Sequence, residues 1–307
     1  LFVENYCQQN GIQVESCAIP IAEIVGKHGG NLQAVCRRER YQFLLEVMQR
    51  RALTKLVTAH HADDQLESML MALTKSGALN GFKGIQPKRN FFKKVMIRPF
   101  LAVTKLEIRE YLQKNSGTFR EDASNAKEDY TRNRFRHRIV PLLKDENPNV
   151  STHAVQLAGQ ISQDDDYLNE LARQQFEVHV EKKSNNSYVF KINAFQNEPL
   201  ALQRRLILIL LSYLYNDSNT IQSYALCTSI LKLFGTLEGS VTINLPEGFI
   251  ARREYNRVFF EKEQSHYALA PKPLTLNEWN DLGQMRVYIG TLLGSRMRLT
   301  GEEIVYY

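Results

Sequence analysis

The chain has 307 residues, of which 43% are hydrophobic, and its 15 Phe and 14 Tyr exclude a wholly disordered protein and allow about two or three domains. The 39 Lys and Arg against 33 Asp and Glu give a net charge of +6, which points toward a polyanionic partner, although composition alone slightly favours a merely soluble basic protein. The four cysteines form no Cys-x-x-Cys pair, which excludes the common zinc and iron–sulfur spacings and fits a reducing cytosol, and no apolar run reaches the roughly 18 residues of a membrane span.

The first half of the chain alternates predicted helices and strands. Helices are predicted over residues 2–9, 31–48, 64–74 and 104–114, and strands over 14–21, 55–59 and 95–97. Thr104 and Glu107 form a predicted capping box, and Asn31 is a predicted helix cap. Such alternation predicts βαβ units and a parallel sheet, so we expect an α/β domain over residues 1–148.

The pattern changes near Asn147-Pro148-Asn149. Residues 151–181, 199–210 and 221–234 are predicted helices, with Pro199 in a first helical turn, and residues 241–245 and 249–260 are predicted strands. We therefore expect a mostly helical domain over 149–263, a linker at Pro271-Lys272-Pro273, and the start of a β-rich domain within 264–307. Because the chain opens on Leu1 in the middle of a helical pattern and stops in a strand pattern, we expect it to be incomplete.

Residues 58–67, Thr-Ala-His-His-Ala-Asp-Asp-Gln-Leu-Glu, lie between a predicted strand and a predicted helix. That junction is the edge where open α/β sheets bind nucleotides, and a helix N-terminus favours phosphate. Asp63 and Asp64 are candidate Mg²⁺ ligands, and His60 or His61 is a candidate for proton transfer near neutral pH. Alternatively, the two aspartates only cap the helix and a histidine only packs on the sheet edge. A dedicated zinc site is disfavoured because no His-Glu-x-x-His pattern is present.

Three groups of arginines are candidates for binding phosphate. Arg37 and Arg40 share a helical face and can clamp phosphate in a forked geometry, although a solvated basic face is the alternative. A second predicted helix carries an apolar stripe flanked by polar side chains, namely Arg132, Asn133, Arg136 and Arg138. The alternative is that these arginines pair with Glu121, Asp122 and Asp129. Arg204-Arg205 is a weaker basic feature, for which surface solubilisation is at least as good an explanation.

Four ordered segments resemble the tRNA(Ile)-lysidine synthetase family of N-type ATP pyrophosphatases. The run over 58–67 resembles the family's TAHHxDDQxET signature, and Arg37 with Arg40-Tyr41 matches its preceding arginines. Residues 97–101, Ile-Arg-Pro-Phe-Leu, resemble its IRPLL segment. Asp122-x-Ser124-Asn125, followed by Tyr130-x-Arg132-Asn133-x-x-Arg136 and later Asn147-Pro148, resembles its last segment. The resemblance covers about residues 31–148, and the later helical part matches the family only in its general layout.

The chain departs from the family pattern in two places. The phosphate-binding SGGxDS loop does not occur in this sequence, so the main ATP-binding residues cannot be named. Ser68 stands where the family has threonine, which keeps the hydroxyl group.

The resemblance implies both a fold and a reaction. The fold would be a PP-loop ATP pyrophosphatase domain with a parallel sheet between helices. The reaction would be ATP-dependent ligation of L-lysine to C2 of the wobble cytidine of tRNA(Ile) with a CAU anticodon, through an adenylated cytidine. Under this interpretation the protein is a cytoplasmic ligase that uses ATP and Mg²⁺ and has no membrane partner; the oligomeric state stays open, with a homodimer as one alternative.

The resemblance also implies roles for the candidate residues. The catalytic set is His61, Asp63, Asp64 and Arg132, with Asp63 and Asp64 also serving Mg²⁺ or the lysine ammonium. The set that holds ATP or the cytidine is Arg37, Arg40 and His60. The set that contacts tRNA is Asn133, Arg136, Arg138, Arg204 and Arg205. Two rival functions remain: another PP-loop tRNA-modifying enzyme, such as a thiolase, which the absence of Cys-x-x-Cys pairs disfavours, or a tRNA-binding homologue without catalysis.

Overall fold

Three helices precede the first strand of the protein. The computed structural model describes residues 2–75, 79–121, 130–184, 186–215, 224–236, 240–263, 273–281 and 286–289. Helix α1 covers Phe2–Gln9, α2 covers Ile21–His28 and α3 covers Leu32–Arg50. Asn31 caps α3 as predicted, because its side chain accepts hydrogen bonds from the N–H groups of Gln33 and Ala34.

The strand predicted over residues 14–21 is wrong. Residues 12–20 form neither helix nor strand, and α2 begins at Ile21. A segment becomes a strand only when a neighbour completes its backbone hydrogen bonds, and no described strand pairs with this segment.

A three-stranded sheet has the polar cluster, residues 58–67, at one of its edges. Strands β1 (Lys55–Val57), β2 (Lys88–Phe91) and β3 (Lys94–Ile97) lie in the order β1-β3-β2. The β1–β3 pair is parallel, with Leu56 opposite Met96, whereas β2 is antiparallel to β3. The expected parallel sheet is therefore mixed. The hairpin was missed because its turn residues, Phe92 and Lys93, adopt positive φ without the Asn or Gly that marks such turns in a sequence.

Helix α3 packs on this sheet through Leu45 and Met48, and further helices lie between and after its strands in the chain. They are α4 (Ala62–Lys75), α5 (Leu79–Phe82), α6 (Lys105–Lys114), α7 (Thr131–Arg134), a π-helical segment (Phe135–Ile139) and α8 (Val140–Glu146). The predicted capping box is present at the start of α6, between Thr104 and Glu107.

Helix α9 (Val150–His179) is the longest element and packs against α4. Leu66 and Met69 of α4 meet Ala154 and Ala158 of α9 in one buried cluster. The two alanines are four residues apart on one face of α9, and their small side chains allow the helix backbones to approach closely. This contact brings the start of α9 to the polar cluster.

The largest core lies in the carboxyl-terminal half. Strands β4 (Val180–Ser184), β5 (Ser187–Lys191), β6 (Ser240–Asn244), β7 (Phe249–Glu254) and β8 (Arg257–Lys262) form an antiparallel sheet in the order β4-β5-β8-β7-β6. Helices α10 (Ile192–Gln196), α11 (Leu200–Leu214) and α12 (Tyr224–Gly235) pack with it. The single strand predicted over 249–260 is two strands, because the chain turns at Tyr255 with φ of 49°. Pro199 precedes α11 rather than lying in its first turn.

A hairpin of β9 (Glu278–Asp281) and β10 (Arg286–Ile289) is the last described element. Of the predicted linker, Pro271 and Lys272 lie outside the described residues. Among the described helices, none combines the length and apolar character needed to cross a membrane.

Candidate functional site

The polar cluster lies where strand β1 ends and helix α4 begins. The N–H of Thr58 bonds to the carbonyl of Ile97, so the chain leaves β1 at the carboxyl-terminal edge that β1 and β3 share. Helix α4 starts at Ala62, and Asp64 accepts a hydrogen bond of 3.0 Å from the N–H of His61. Asp64 therefore caps the helix, as the alternative interpretation of the aspartates expected, and it has further contacts besides.

Asp63 is buried and is held by three donors from three different elements. It accepts hydrogen bonds from the backbone N–H of Lys105 at 2.7 Å, from the Lys144 ammonium, and from the Ser151 hydroxyl at 3.0 Å. Burial alone would raise the pKa of Asp63, but the hydrogen bonds from Lys144, Lys105 and Ser151 and the charge of Lys144 outweigh it and lower the pKa below 3.8. Asp63 is thus a stable carboxylate that ties α6, α8 and α9 to the start of α4.

Asp64 and Glu67 share two arginines. Arg132 donates from Nε to Glu67 at 2.6 Å and from Nη2 to Asp64 at 2.9 Å. Arg136 repeats the arrangement, with Nε 2.6 Å from Glu67 and Nη2 3.3 Å from Asp64. Glu67 is only 1% exposed, so both of its oxygens depend on these guanidinium groups for compensation.

The three carboxylates of α4 thus face three cations, Arg132, Arg136 and Lys144, from the continuous helical stretch formed by α7, the π-helical segment and α8. The π-helical segment allows this because it brings Lys144 onto the same helical face as Arg132. In an unbroken α-helix Lys144, twelve residues after Arg132, would point about 120° away from it. The segment instead bonds the N–H of Val140 to the carbonyl of Phe135, five residues back, which reduces the rotation per residue. Pro141 explains the break, because it has no N–H and its ring clashes with the carbonyl four residues earlier.

The two histidines have different surroundings. The ring of His61 lies between the two aspartates, with Nδ1 3.6 Å from Asp63 and Nε2 3.5 Å from Asp64. Its Nδ1 is buried and has no hydrogen-bond partner in the described part of the chain. His60 shares a contact of 2.9 Å between its Nδ1 and the Thr58 hydroxyl. Burial, followed by the charges of arginines such as Arg98, lowers the pKa of His60 despite the opposing charge of Asp64. His60 is therefore a neutral imidazole near pH 7, able to accept a proton.

The predicted Mg²⁺ site at Asp63 and Asp64 does not fit this arrangement. All four carboxylate oxygens of the two residues already accept hydrogen bonds from protein donors. Within the described residues, no group of three or more His, Cys, Asp and Glu side chains is placed to hold a metal ion. The geometry assigns these carboxylates to cationic partners.

The remaining predicted residues lie around or beyond this cluster. Arg37 and Arg40 are exposed on α3; Asn133 is half-buried in α7, and Arg138 is exposed in the π-helical segment. Arg205 donates to Asp165 at 2.6 Å, and Lys83 pairs with the same carboxylate at 2.7 Å, so this arginine helps to join α9 and α11 to the loop after α5. Asp122, Ser124, Asn125 and Asp129 lie outside the described residues.

Sequence reasoning did not single out Glu67, Lys144 or Ser151. Of the three, Glu67 was the easiest to find from the sequence, because it lies three residues after Asp64 on the same helical face, and Arg132 and Arg136, four residues apart, also share a face. Lys144 and Ser151 gave no comparable signal, since only the phase of the π-helical segment and the packing of α9 bring them to Asp63.

Comparison with known proteins relates the amino-terminal part of the chain to a PP-loop family and most of the chain to curated bacterial proteins. Residues 1–143 match the PP-loop domain family model. The chain is 35% identical over 263 residues to the tRNA(Ile)-lysidine synthase of Bacillus subtilis, and the aligned residues cover 86% of this chain and 56% of that protein. It is 36% identical over 259 residues to the tRNA(Ile)-lysidine synthase of Geobacillus kaustophilus, covering 84% of this chain and 56% of that protein.

A bifunctional protein TilS/HprT of Listeria monocytogenes is also similar, with 36% identity over 259 residues, or 84% of this chain and 40% of that protein. The chain therefore spans about half the length of the curated relatives it matches.

Proposed function

We propose that this protein, which has a PP-loop domain at residues 1–143 and resembles tRNA(Ile)-lysidine synthases over 84% of its length, is an ATP-dependent ligase that forms lysidine. Its substrates would be ATP, L-lysine and tRNA(Ile) with a CAU anticodon. The observation that carries the proposal is the cluster of Asp64, Glu67, Arg132 and Arg136 beside His60, at the sheet edge where α/β proteins bind nucleotides.

The proposed reaction has two steps. In the first, the C2 oxygen of the wobble cytidine forms a bond to the α-phosphorus of ATP, and the bond from that phosphorus to the bridging oxygen breaks and releases pyrophosphate. In the second, the lysine ε-nitrogen forms a bond to C2, the C2–oxygen bond breaks, and AMP leaves. The amine loses a proton in this second step, so the site needs a base as well as cations for the phosphate charge.

The described side chains supply both chemical needs. The guanidinium groups of Arg132 and Arg136 are held in place by Glu67 yet remain about a third exposed, so they can also contact the phosphate of the adenylated intermediate. His60 is a neutral base, and His61 lies against Asp63 and Asp64, where it can relay a proton. Asp64 would hold the lysine ammonium, which can replace the arginine charge that now compensates it.

The other predicted roles complete the proposal. Arg37 and Arg40 would hold ATP or the cytidine, and the tRNA contacts would come from Asn133, Arg136, Arg138, Arg204 and Arg205. Because Arg205 also pairs with Asp165, we expect its tRNA contact to be the weakest of these. Residues 149–263 and 264–307 would bind the body of the tRNA, in a cytoplasmic protein. Mg²⁺ would enter as the counter-ion of the ATP phosphates, not as a ligand of Asp63.

A thiolase-like PP-loop enzyme is the second candidate function. Such thiolases use Cys-x-x-Cys pairs, and the cysteines of this chain, Cys7, Cys17, Cys36 and Cys227, form none. A tRNA-binding homologue without catalysis is the third, and only an activity measurement separates it from the ligase.

The test is ATP-dependent incorporation of labelled lysine into an isoleucine tRNA transcript with a CAU anticodon. We expect incorporation with ATP and none without it, and a loss of at least about a hundredfold for Asp64→Ala. Glu170→Ala is the matched control, because Glu170 is an exposed carboxylate of α9 that makes a weak 3.5 Å pair with Arg173 of the same helix. No incorporation by the intact protein would reject the ligase and leave the non-catalytic homologue.

A further inference from the structure

Three arginines gather around Tyr41 on the sheet side of helix α3. The guanidinium carbon of Arg37 lies 5.2 Å from the centre of the Tyr41 ring, and that of Arg89 lies 5.7 Å from it. Arg37 and Tyr41 are one turn apart on α3, whereas Arg89 belongs to β2. The ring therefore holds two cations from different elements close to each other.

Arg98 is the third member of this group, which we call the Tyr41 arginine cluster (Arg37, Arg89 and Arg98). It follows β3 directly and is 6% exposed. Its Nη2 lies 3.1 Å from the sulfur of Met96, which also accepts from Nε of Arg89 at 3.4 Å, so the two guanidinium groups are neighbours. Nε of Arg98 is buried without a hydrogen-bond partner among the described residues.

The cluster differs from the arginines of the candidate site because, among the described residues, it lacks acidic partners. Arg132, Arg136 and Arg205 each contact a carboxylate, whereas the described residues place no carboxylate oxygen within 4.0 Å of the cluster's three guanidinium groups. Burial, followed by the charges of Arg89 and Arg37, lowers the pKa of Arg98, although Tyr41 opposes the shift. Gathering like charges in this way is unfavourable, and an anion would relieve it.

The position of the cluster relates it to the candidate site. Strands β1 and β3 are parallel, so Arg98 after β3 and Thr58 after β1 emerge at the same edge of the sheet. The charges of Arg98 and Arg37 also reach His60, where they help to lower its pKa. An anion bound at the Tyr41 arginine cluster would therefore lie beside the polar cluster and not on a remote surface.

We propose that Arg37, Arg89 and Arg98 form a phosphate-binding site around Tyr41. Guanidinium groups match phosphate oxygens in a forked geometry, and two of the three lie on exposed positions from which they can reach a ligand. The phosphate belongs either to the nucleotide substrate, as its pyrophosphate portion, or to the RNA backbone. The choice between these two sources rests on the proposed function, whereas the phosphate site itself does not.

The experiment measures binding without turnover, using the intact protein. Inorganic pyrophosphate and a single-stranded RNA oligonucleotide are titrated separately into wild type, Arg89→Gln and the double variant Arg37→Gln/Arg89→Gln. Arg38→Gln is the matched control, because Arg38 is an exposed arginine of the same helix that pairs with Glu39 at 2.7 Å. Arg98 is left unchanged, since it also donates to the carbonyl of Gln86 and its loss would disturb folding.

We expect Arg89→Gln to weaken binding of one probe by roughly tenfold and the double variant by more, while Arg38→Gln stays near wild type. A loss confined to pyrophosphate assigns the site to the nucleotide. A loss confined to RNA, with a salt dependence about 0.7 smaller in slope for each arginine removed, assigns it to the RNA backbone. Unchanged affinity for both probes would overturn the proposal, even if lysine incorporation were observed; a loss of binding in a protein without ligase activity would uphold it.

Discussion

Ser151 at the start of helix α9 donates a hydrogen bond of 3.0 Å to Asp63 at the start of helix α4. Ser151 is fully buried and Asp63 is 6% exposed, so water replaces neither partner. The residues matched to the PP-loop domain end at 143, so this bond joins the matched domain to the helix that follows it. The position of α9 and the state of the candidate site are therefore linked through Asp63.

Ser151→Ala should lower the free energy of unfolding by about 1 kcal/mol. Asp63 keeps its bonds from Lys105 and Lys144, so the variant should still fold. Urea unfolding followed by circular dichroism measures the change. Ser229→Ala is the control, because that hydroxyl bonds to the carbonyl of Ala225 in its own helix. An equal loss there would show that Ser151 has no special role.

Glu67→Gln should lower the free energy of unfolding by roughly 2 to 4 kcal/mol, which is more than we expect for a substitution at an exposed position. The neutral side chain no longer compensates Arg132 and Arg136, although these guanidinium groups stay 33% and 29% exposed, which moderates the loss. Glu170→Gln removes an exposed pair and should change stability by less than about 0.5 kcal/mol. Similar losses for the two variants would contradict the structural importance of Glu67.

Asp63→Asn should change how stability depends on pH. Because the pKa of Asp63 is lowered on folding, the carboxylate stabilises the protein above its unfolded pKa, near 3.8, and this contribution disappears as pH falls through the lower folded pKa. Thermal or urea unfolding between about pH 5 and pH 2.5 should therefore show a flatter decline for the variant than for wild type. Parallel curves across that window would show that folding does not lower the pKa of Asp63.

Pro141→Ala should uncouple Lys144 from Asp63. With an N–H restored at position 141, the helix can take ordinary α-helical phase, which rotates Lys144 away from the face that carries Arg132. A double-mutant cycle with Lys144→Met measures the effect on the free energy of unfolding.

We expect Lys144→Met to destabilise wild type by about 2 kcal/mol and the Pro141→Ala protein by much less. Pro199→Ala, which changes a proline before α11, serves as the control background and should leave the cost of Lys144→Met unchanged. An equal loss of stability from Lys144→Met in wild type, Pro141→Ala and Pro199→Ala would show that the ion pair between Lys144 and Asp63 does not depend on the π-helical segment.

The local sequence determined helix caps and strand β1, because these features form from interactions and patterns among neighbouring residues. The cap at Asn31, the capping box at Thr104 and the strand that carries Leu56 all form where the residues predict them. The cluster of histidines and aspartates was also placed correctly at a strand–helix junction, because apolar periodicity on both sides fixes that boundary.

Tertiary structure decided the partners of that cluster. The sequence proposed the Asp63–Asp64 pair as a magnesium site or a cap, since a carboxylate is recognisable in a sequence but its neighbours are not. Only the packed molecule shows that Lys144 and Ser151 donate to Asp63 and that Glu67 lies between two arginines. The physical reason is that the charge of a buried carboxylate is compensated by residues distant in sequence, and a phase shift in one helix and the docking of another bring those residues within reach.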